Sequence, residues 1–186
     1  CNSVITINLS SFDTKNVTDM SYMFNNCNCL KTVDLSSFDT KMVTDLSYLF
    51  NNCNDLTTID LSNFETINTT YMQYMFNNCN VITSIKLSNF NTQKVIDMSF
   101  MFNNCNILTT IDLSSFKTGS LKYMQFMFNN CNDITTVNLL NCTTEQVDNV
   151  SNMFYGCYEL AKIEVADENS KKQFLESVPS AAPVKK

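Results

Sequence analysis

The feature that most constrains this chain is an internal repeat of 26 residues that runs through nearly all of it. Cysteines recur at this step without insertion or deletion, at Cys1, Cys27, Cys53, Cys79, Cys105, Cys131 and Cys157. A phenylalanine keeps the same step, at Phe24, Phe50, Phe76, Phe102, Phe128 and Phe154. One such repeat cannot bury its own apolar residues, so neighbouring repeats must stack around a shared core. The sequence therefore predicts a solenoid.

The first half of each repeat has the pattern of a β-strand. Leu56, Ile59 and Leu61 follow Cys53 with the spacing L-x-x-I-x-L, which is the strand signature of a leucine-rich repeat. The last two of these residues are two positions apart, which is the side-chain period of a strand. A phenylalanine follows three positions later in most repeats, and we expect its ring to fill the turn after the strand.

The second half of each repeat has the pattern of a short helix. Met20, Met23, Phe24 and Cys27 fall at i, i+3, i+4 and i+7, one apolar stripe of a helix. The residue before each later ladder cysteine is Asn or Gly, and both tolerate a positive φ. We therefore expect a left-handed residue at the helix end, at Asn26, Asn52, Asn78, Asn104, Asn130 and Gly156.

Together these patterns predict an α/β solenoid: a leucine-rich-repeat, right-handed β-α superhelix. Parallel strands are expected on the concave face and short helices on the convex face. Residues 1–165 hold about six repeats, the N-terminal one expected to be truncated, and residues 166–186 form a C-terminal capping helix and tail. Within that tail, a helix over 169–177 with Asn169 or Ser170 as its cap should cover the core with Phe174.

Composition excludes most catalytic chemistry. The chain of 186 residues has no His, so a Ser-His-Asp triad, a Cys-His pair and a His-ligated metal are ruled out. Its two glycines, Gly119 and Gly156, are too isolated to form a phosphate-binding loop. A net charge of −6, with Lys as the only basic residue type, argues against nucleic acid as a partner. We expect a non-enzyme without cofactor or metal, and without a transmembrane segment.

The nine cysteines suggest disulfides at first sight, but their placement favours free thiols. Seven of them share one position of the repeat beside apolar columns, where Cys behaves as a small buried hydrophobe. Cys29 and Cys142 lie off this ladder, and Cys29 is expected to be the most exposed. Cys1 admits a second interpretation, the lipid-modified first residue of a bacterial lipoprotein, although it also fits the ladder.

Two surfaces are candidates for binding. The first, which we call the strand face, carries the outward side chains of successive predicted strands. Its members are Thr32, Asp34, Thr58, Asp60, Lys86, Thr110 and Asp112. Outward strand residues are the usual binding surface of such solenoids, whereas the alternative is a plain solvated face.

The second candidate, the aromatic column, lies one residue before the inward Met or Leu of each predicted helix. Its members are Tyr22, Tyr48, Tyr74, Phe100 and Phe126. Aromatic residues enriched on a surface mark interfaces. The alternative, which we favour, is that the rings stack on one another from repeat to repeat.

The stretch Val17-Thr18-Asp19-Met20-Ser21-Tyr22-Met23-Phe24, followed by Asn26-Cys27, resembles the BspA-like leucine-rich-repeat surface proteins of low-GC bacteria, including mycoplasmas. Leu35-Ser36-Ser37-Phe38-Asp39-Thr40 extends this resemblance. The family implies a cell-surface or secreted adhesion module that binds a protein or glycan, such as host matrix or another cell-surface protein. It implies no catalytic residues. The alternative is a structural spacer or self-assembling scaffold that associates through an uncapped N-terminal edge.

Overall fold

The computed structural model describes residues 3–184. Cys1, Asn2, Lys185 and Lys186 lie outside the described residues, and with them the two interpretations of Cys1. The described elements are β1 (Thr58–Asp60), β2 (Ser84–Lys86), β3 (Thr110–Asp112), β4 (Thr136–Leu139), β5 (Lys162–Val165) and α1 (Glu168–Leu175). Each strand starts 26 residues after the one before it, so the strands are equivalent positions of successive repeats.

The strands pair in parallel and in the register of the repeat. β1 pairs with β2, and β3 pairs with β4, which pairs with β5, so residues 3–184 contain two sheets. Thr58 lies opposite Ser84, and Thr110 lies opposite Thr136. The chain thus forms a solenoid-like stack of repeats with parallel strands, as predicted.

A second ladder joins the other half of each repeat. Isolated parallel bridges connect one residue of each repeat to its counterpart in the next, through Asp19, Asp45, Tyr71, Asp97, Tyr123 and Asn149. In the residues after each bridge, every second backbone N–H donates to a carbonyl of the next repeat. Tyr48 donates to the Gln73 carbonyl over 3.0 Å, and Phe50 donates to the Met75 carbonyl over 2.8 Å. Each repeat is therefore hydrogen-bonded to its neighbour on two sides.

The predicted helices in the second half of the repeats are wrong. Residues 20–27 and their equivalents form consecutive tight turns, and α1 is the α-helix of residues 3–184. Met23 donates its N–H to the Met20 carbonyl, and Cys27 donates to the Phe24 carbonyl, closing two turns of four residues each. Two such turns reproduce the i, i+3, i+4, i+7 spacing of a helix. The N–H groups of Tyr22, Phe24 and Asn26 donate to carbonyls of the next repeat, so no i→i−4 ladder forms.

Positive φ angles hold these turns in place. Asn26, at the third position of its turn, has φ of 59°, and its equivalents in the next four repeats lie within 57–59°. The expected left-handed Asn column is thus confirmed, although it closes a turn rather than a helix. Tyr22 occupies the same position of the preceding turn with φ of 58°, which the sequence did not suggest. A positive φ at this position is what a type II turn requires.

The core consists of apolar columns that run along the stack. The rings of Phe24, Phe50, Phe76, Phe102, Phe128 and Phe154 stack with centroid separations of 5.2–5.7 Å. The ladder cysteines from Cys27 to Cys157 are free and buried beside them, and Cys142 is buried too. Each ladder thiol from Cys53 onwards donates to a phenylalanine carbonyl of the preceding repeat, as Cys53 does to Phe24 over 3.1 Å. The predicted burial of these thiols is confirmed.

The C-terminal helix closes one end of this core. Phe174 of α1 is fully buried, and Ser170 is buried with it. Asp167 is the N-cap, because its carboxylate accepts the Ser170 N–H over 2.8 Å; the expected caps Asn169 and Ser170 lie inside the helix. The division of the chain at residue 165 stays a prediction.

Candidate functional surface

The strand face is exposed on the strands that the structure describes. In β1, Thr58 and Asp60 are exposed on either side of buried Ile59, and β3 repeats this with Thr110 and Asp112. Thr32 and Asp34 are also exposed, although they precede the first described strand. Lys86 lies directly opposite Asp60 in the β1–β2 register. The predicted residues therefore reach solvent from successive repeats.

Each aspartate of the strand face has a structural role that the sequence analysis missed. The carboxylates of Asp34, Asp60 and Asp112 accept the backbone N–H of the serine two residues later, over 2.9–3.0 Å. These contacts are Asx turns, which hold the chain as it leaves the strand. The hydrogen bond from the Ser36 backbone lowers the pKa of Asp34. The recurring Asp-x-Ser of the repeats is the sequence signal for this role.

Lys86 changes the strand face where it replaces an aspartate. Its ammonium lies 2.7 Å from Asp60 Oδ2, and this contact is the main cause of the lowered pKa of Asp60. A lysine cannot accept the N–H of Ser88, so the Asx turn of the other repeats is lost at this point. Ile85, beside Lys86, is only partly buried, whereas Ile59 and Ile111 are buried.

The two sheets separate next to Lys86, and a cleft of about 300 Å³ opens there. We call it the central cleft. Its lining comprises Ile85, Lys86, Leu87, Ser88, Asp112, Ser114 and Ser115. It places a cation, a carboxylate and three hydroxyls around a partly apolar floor. Lys86 and Asp112 were predicted site residues, whereas Ser115 was not identified from the sequence.

The aromatic column is a continuous stack of rings. Neighbouring members lie 4.5–4.7 Å apart with planes within 10° of parallel. Tyr48, Tyr74, Phe100 and Phe126 are half-buried, whereas Tyr22 at the end of the stack is 53 % exposed. Burial raises the pKa of Tyr48 and Tyr74. The predicted stacking is confirmed, and Tyr22 is the one exposed member of the column.

The N-terminal edge of the described stack exposes apolar side chains. Ile5 and Phe12 are each 54 % exposed. An apolar cleft of about 190 Å³ lies at this edge, lined by Val4, Ile7, Leu9, Phe12, Met23, Phe24, Cys27 and Leu30. Self-association of the alternative scaffold function would use this edge.

Within residues 3–184, no three or more His, Cys, Asp or Glu side chains are grouped so that they could hold a metal ion. In the same part of the chain, no helix is both long and apolar enough to cross a membrane.

Comparison with known families adds one finding. The family model described as a mycoplasma protein of unknown function, DUF285, matches this chain twice, over residues 1–85 and over residues 78–173. Together the two matches run through all the repeats and into α1. No curated protein matches the chain.

Proposed function

Because the chain belongs to the DUF285 family of mycoplasma proteins, whose description assigns no function, we propose a function from its surface. It is a non-catalytic recognition and adhesion module, at the cell surface or secreted, that binds a protein or glycan through the strand face. We further propose that its repeats are of the BspA-like leucine-rich type, with right-handed connections and the strands on the concave side. The L-x-x-I-x-L spacing supports that assignment.

The observation that carries this proposal is the central cleft. Hydroxyls of Ser88, Ser114 and Ser115 beside Lys86 and Asp112 offer both donors and acceptors to one ligand group. Concavity with a few convergent polar groups is typical of ligand sites. The exposed Thr and Asp side chains of neighbouring repeats extend this surface along the stack, as an elongated protein or glycan ligand requires.

The test compares two triple variants on a printed oligosaccharide array and on immobilised extracellular-matrix proteins. Asp34→Asn, Asp60→Asn and Asp112→Asn together keep an oxygen for each Asx turn and remove three charges, so the fold should survive. Binding should weaken at least several-fold and lose salt dependence. The matched control, Asp13→Asn with Asp19→Asn and Asp45→Asn, removes three charges from other Asx turns. Equal binding by both triple variants and the unmodified chain would refute the proposal.

A scaffold function is the second candidate, favoured by the exposed apolar N-terminal edge. If this edge joins two copies, sedimentation velocity should show a concentration-dependent dimer at tens of micromolar. Phe12→Ser should abolish that dimer, because its ring is exposed and lines the edge cleft. Tyr155→Ser removes a similarly exposed ring elsewhere and should leave the dimer intact. A monomer at all concentrations rejects this candidate.

A further inference from the structure

Two exposed tyrosines flank an aspartate on the second ladder. The isolated bridges pair Asp97 with Tyr71 on one side and with Tyr123 on the other. Tyr71 is 42 % exposed and Tyr123 is 41 % exposed, while Asp97 between them is half-buried. Since neighbouring parallel strands lie about 4.8 Å apart, the backbones of the two tyrosines are about 9.6 Å apart with one repeat between them.

The same two-residue substitution creates this arrangement in two of the repeats. The first, second and fourth repeats have Asp-x-Ser at this point, as at Asp97 and Ser99. The third and fifth have Tyr-x-Gln instead, at Tyr71 with Gln73 and at Tyr123 with Gln125. The side-chain oxygens of Gln73 and Gln125 are buried without a hydrogen-bond partner in the described structure. Such unpaired oxygens in a native protein call for an explanation.

The charge of Asp97 is not neutralised by an ion pair. None of the ion pairs formed among residues 3–184 includes it. One carboxylate oxygen accepts the Ser99 N–H over 2.8 Å. After burial, the negative charge of Asp97 is the next cause that raises the pKa of Tyr74. The second ladder therefore offers one carboxylate with an exposed tyrosine in the repeat on either side of it.

We propose that Tyr71, Asp97 and Tyr123 bind the quaternary ammonium group of a choline ligand. Equivalent rings of neighbouring repeats keep the spacing of their backbones, as Tyr48 and Tyr74 do at 4.6 Å. If Tyr71 and Tyr123 do the same, a cation midway between them lies about 4.8 Å from each ring, within the roughly 6 Å at which cation–π attraction acts. The aromatic columns of this protein stack face to face along the solenoid, and the same orientation would turn the faces of Tyr71 and Tyr123 towards the gap. Asp97 then supplies the opposite charge from below.

Choline fits this site better than a bare metal ion does. Rings and a single carboxylate do not replace the oxygen shell of Mg²⁺ or Ca²⁺, whereas a trimethylammonium group is apolar at its surface and charged at its centre. The same trimethylammonium group is present in free choline, in phosphocholine and in a lipid headgroup, so all three can occupy the site. This site uses different residues from the strand face, so each proposal can fail alone.

The experiment titrates the full chain with tetramethylammonium chloride and follows the ring-current shift of the methyl protons by NMR. Tyr71→Ser and Tyr123→Ser should each weaken binding roughly five- to tenfold, and Tyr71→Phe should restore most of it because the ring face remains. Asp97→Asn keeps the Asx turn and should weaken binding several-fold. Asp45→Asn has the same turn but only one flanking tyrosine, and should have no effect. Thermal unfolding of each variant checks that it is folded.

Two further probes decide the ligand class and its source. The neutral isostere 3,3-dimethylbutanol should bind at least fivefold more weakly than choline; equal binding would overturn the proposal by showing an apolar or sugar-like site. Phosphatidylcholine vesicles that capture the protein, in competition with free phosphocholine, identify the lipid headgroup as the source. Capture by vesicles with failure of both tyrosine variants to reduce it would also overturn the proposal.

Discussion

At the scale of single residues, the side chain of Asn78 serves two purposes at once. Its backbone adopts a φ of 59°, which Asn tolerates better than most residues. Its amide donates to Asn52 and accepts from Asn104, each over 2.6 Å. A column of asparagines thus forms a side-chain ladder between repeats. Gly156 takes the next place in this column, where any Cβ would overlap Oδ1 of Asn130.

Substitutions of Asn78 separate these two purposes. Asn78→Gly keeps the positive φ but removes both amide contacts, so it should destabilise the fold by about 1 kcal/mol. Asn78→Val loses the same contacts and adds left-handed strain, so it should cost about 1–2 kcal/mol more. Urea unfolding should give free energies of unfolding that decrease in the order unmodified chain, Asn78→Gly, Asn78→Val. If Asn78→Gly is as stable as the unmodified chain, the amide ladder contributes nothing to stability.

The buried cysteines make the fold sensitive to alkali. Burial raises the pKa of Cys53, Cys142 and Cys157 from 9.0 to about 12, and raises those of Cys79, Cys105 and Cys131 well above 9.0. The folded state therefore keeps protons that the unfolded state releases above pH 9. The stabilisation is complete below pH 9 and is lost as pH rises towards 12.

Urea unfolding at pH 8, 9 and 10 tests this expectation. The free energy of unfolding should fall steeply above pH 9, with each buried thiol contributing a slope that approaches about 1.4 kcal/mol per pH unit. Cys105→Ala lowers the free energy of unfolding already at pH 8 because it removes buried atoms. Above pH 9 it should also reduce the slope by the contribution of one thiol. Tyr48 and Tyr74 act in the same direction only above pH 10, because their pKa values rise from 10.0. A flat profile to pH 10 contradicts the assigned burial.

At the scale of structural elements, buried threonines connect the turn after one strand to the same turn of the next repeat. Thr66 Oγ1 accepts the Asn91 N–H over 2.7 Å and donates to the Asn91 carbonyl over 3.0 Å. The same double contact recurs at Thr14, Thr40, Thr92 and Thr118. At Thr144 the partner is Ser170 of α1, whose hydroxyl accepts the Thr144 N–H over 3.1 Å. The helix therefore ends the threonine column with a matching hydroxyl.

Thr66→Val tests the column with an isosteric change. It leaves the N–H and C=O of Asn91 without their buried partner, so it should destabilise the fold by about 2 kcal/mol or more. Thr83→Val is the matched control, because Thr83 is exposed and makes one contact, to the Thr57 carbonyl. It should change stability by less than about 0.5 kcal/mol. Equal effects of the two substitutions in thermal unfolding contradict a structural role for the column.

The element scale also shows how far the sequence determines what can be predicted. The strand positions, the stacking and the buried cysteines follow from periodicity, because burial alone selects them. The turns of residues 20–27 did not follow, since two turns of four residues bury the same positions as a helix. The central cleft could not be predicted either, because it arises where the sheets separate beside Lys86. In the sequence, the cleft is marked only by Lys86, which stands at the strand-face position where Asp34, Asp60 and Asp112 stand in other repeats.

At the scale of the whole molecule, the stack has two different ends. Stability in such stacks is close to a sum of each repeat and its contacts with neighbours. The last repeat has a second neighbour in α1, through buried Phe174 and Ser170. The first described repeat has a neighbour on one side, and Phe12 and Tyr22 are exposed there. Opening should therefore begin at the N-terminal edge of this chain and not at both ends.

Hydrogen exchange measures that asymmetry through three equivalent amides. Phe24, Phe102 and Phe128 each donate to the next repeat over 2.9 Å, to Leu49, Met127 and Met153. Although their hydrogen bonds are equally long, the three amides should exchange at different rates because they lie at different distances from the ends of the stack. We expect Phe24 to exchange fastest and Phe128 to exchange nearly as slowly as Phe102. Phe174→Ala removes a buried ring, a change that typically destabilises a protein by about 3–5 kcal/mol. It should raise the exchange rate of the Phe128 amide at least tenfold while leaving that of Phe24 almost unchanged. A uniform increase at all three amides would mean that the stack unfolds as one unit, and α1 would then stabilise the whole molecule instead of one end.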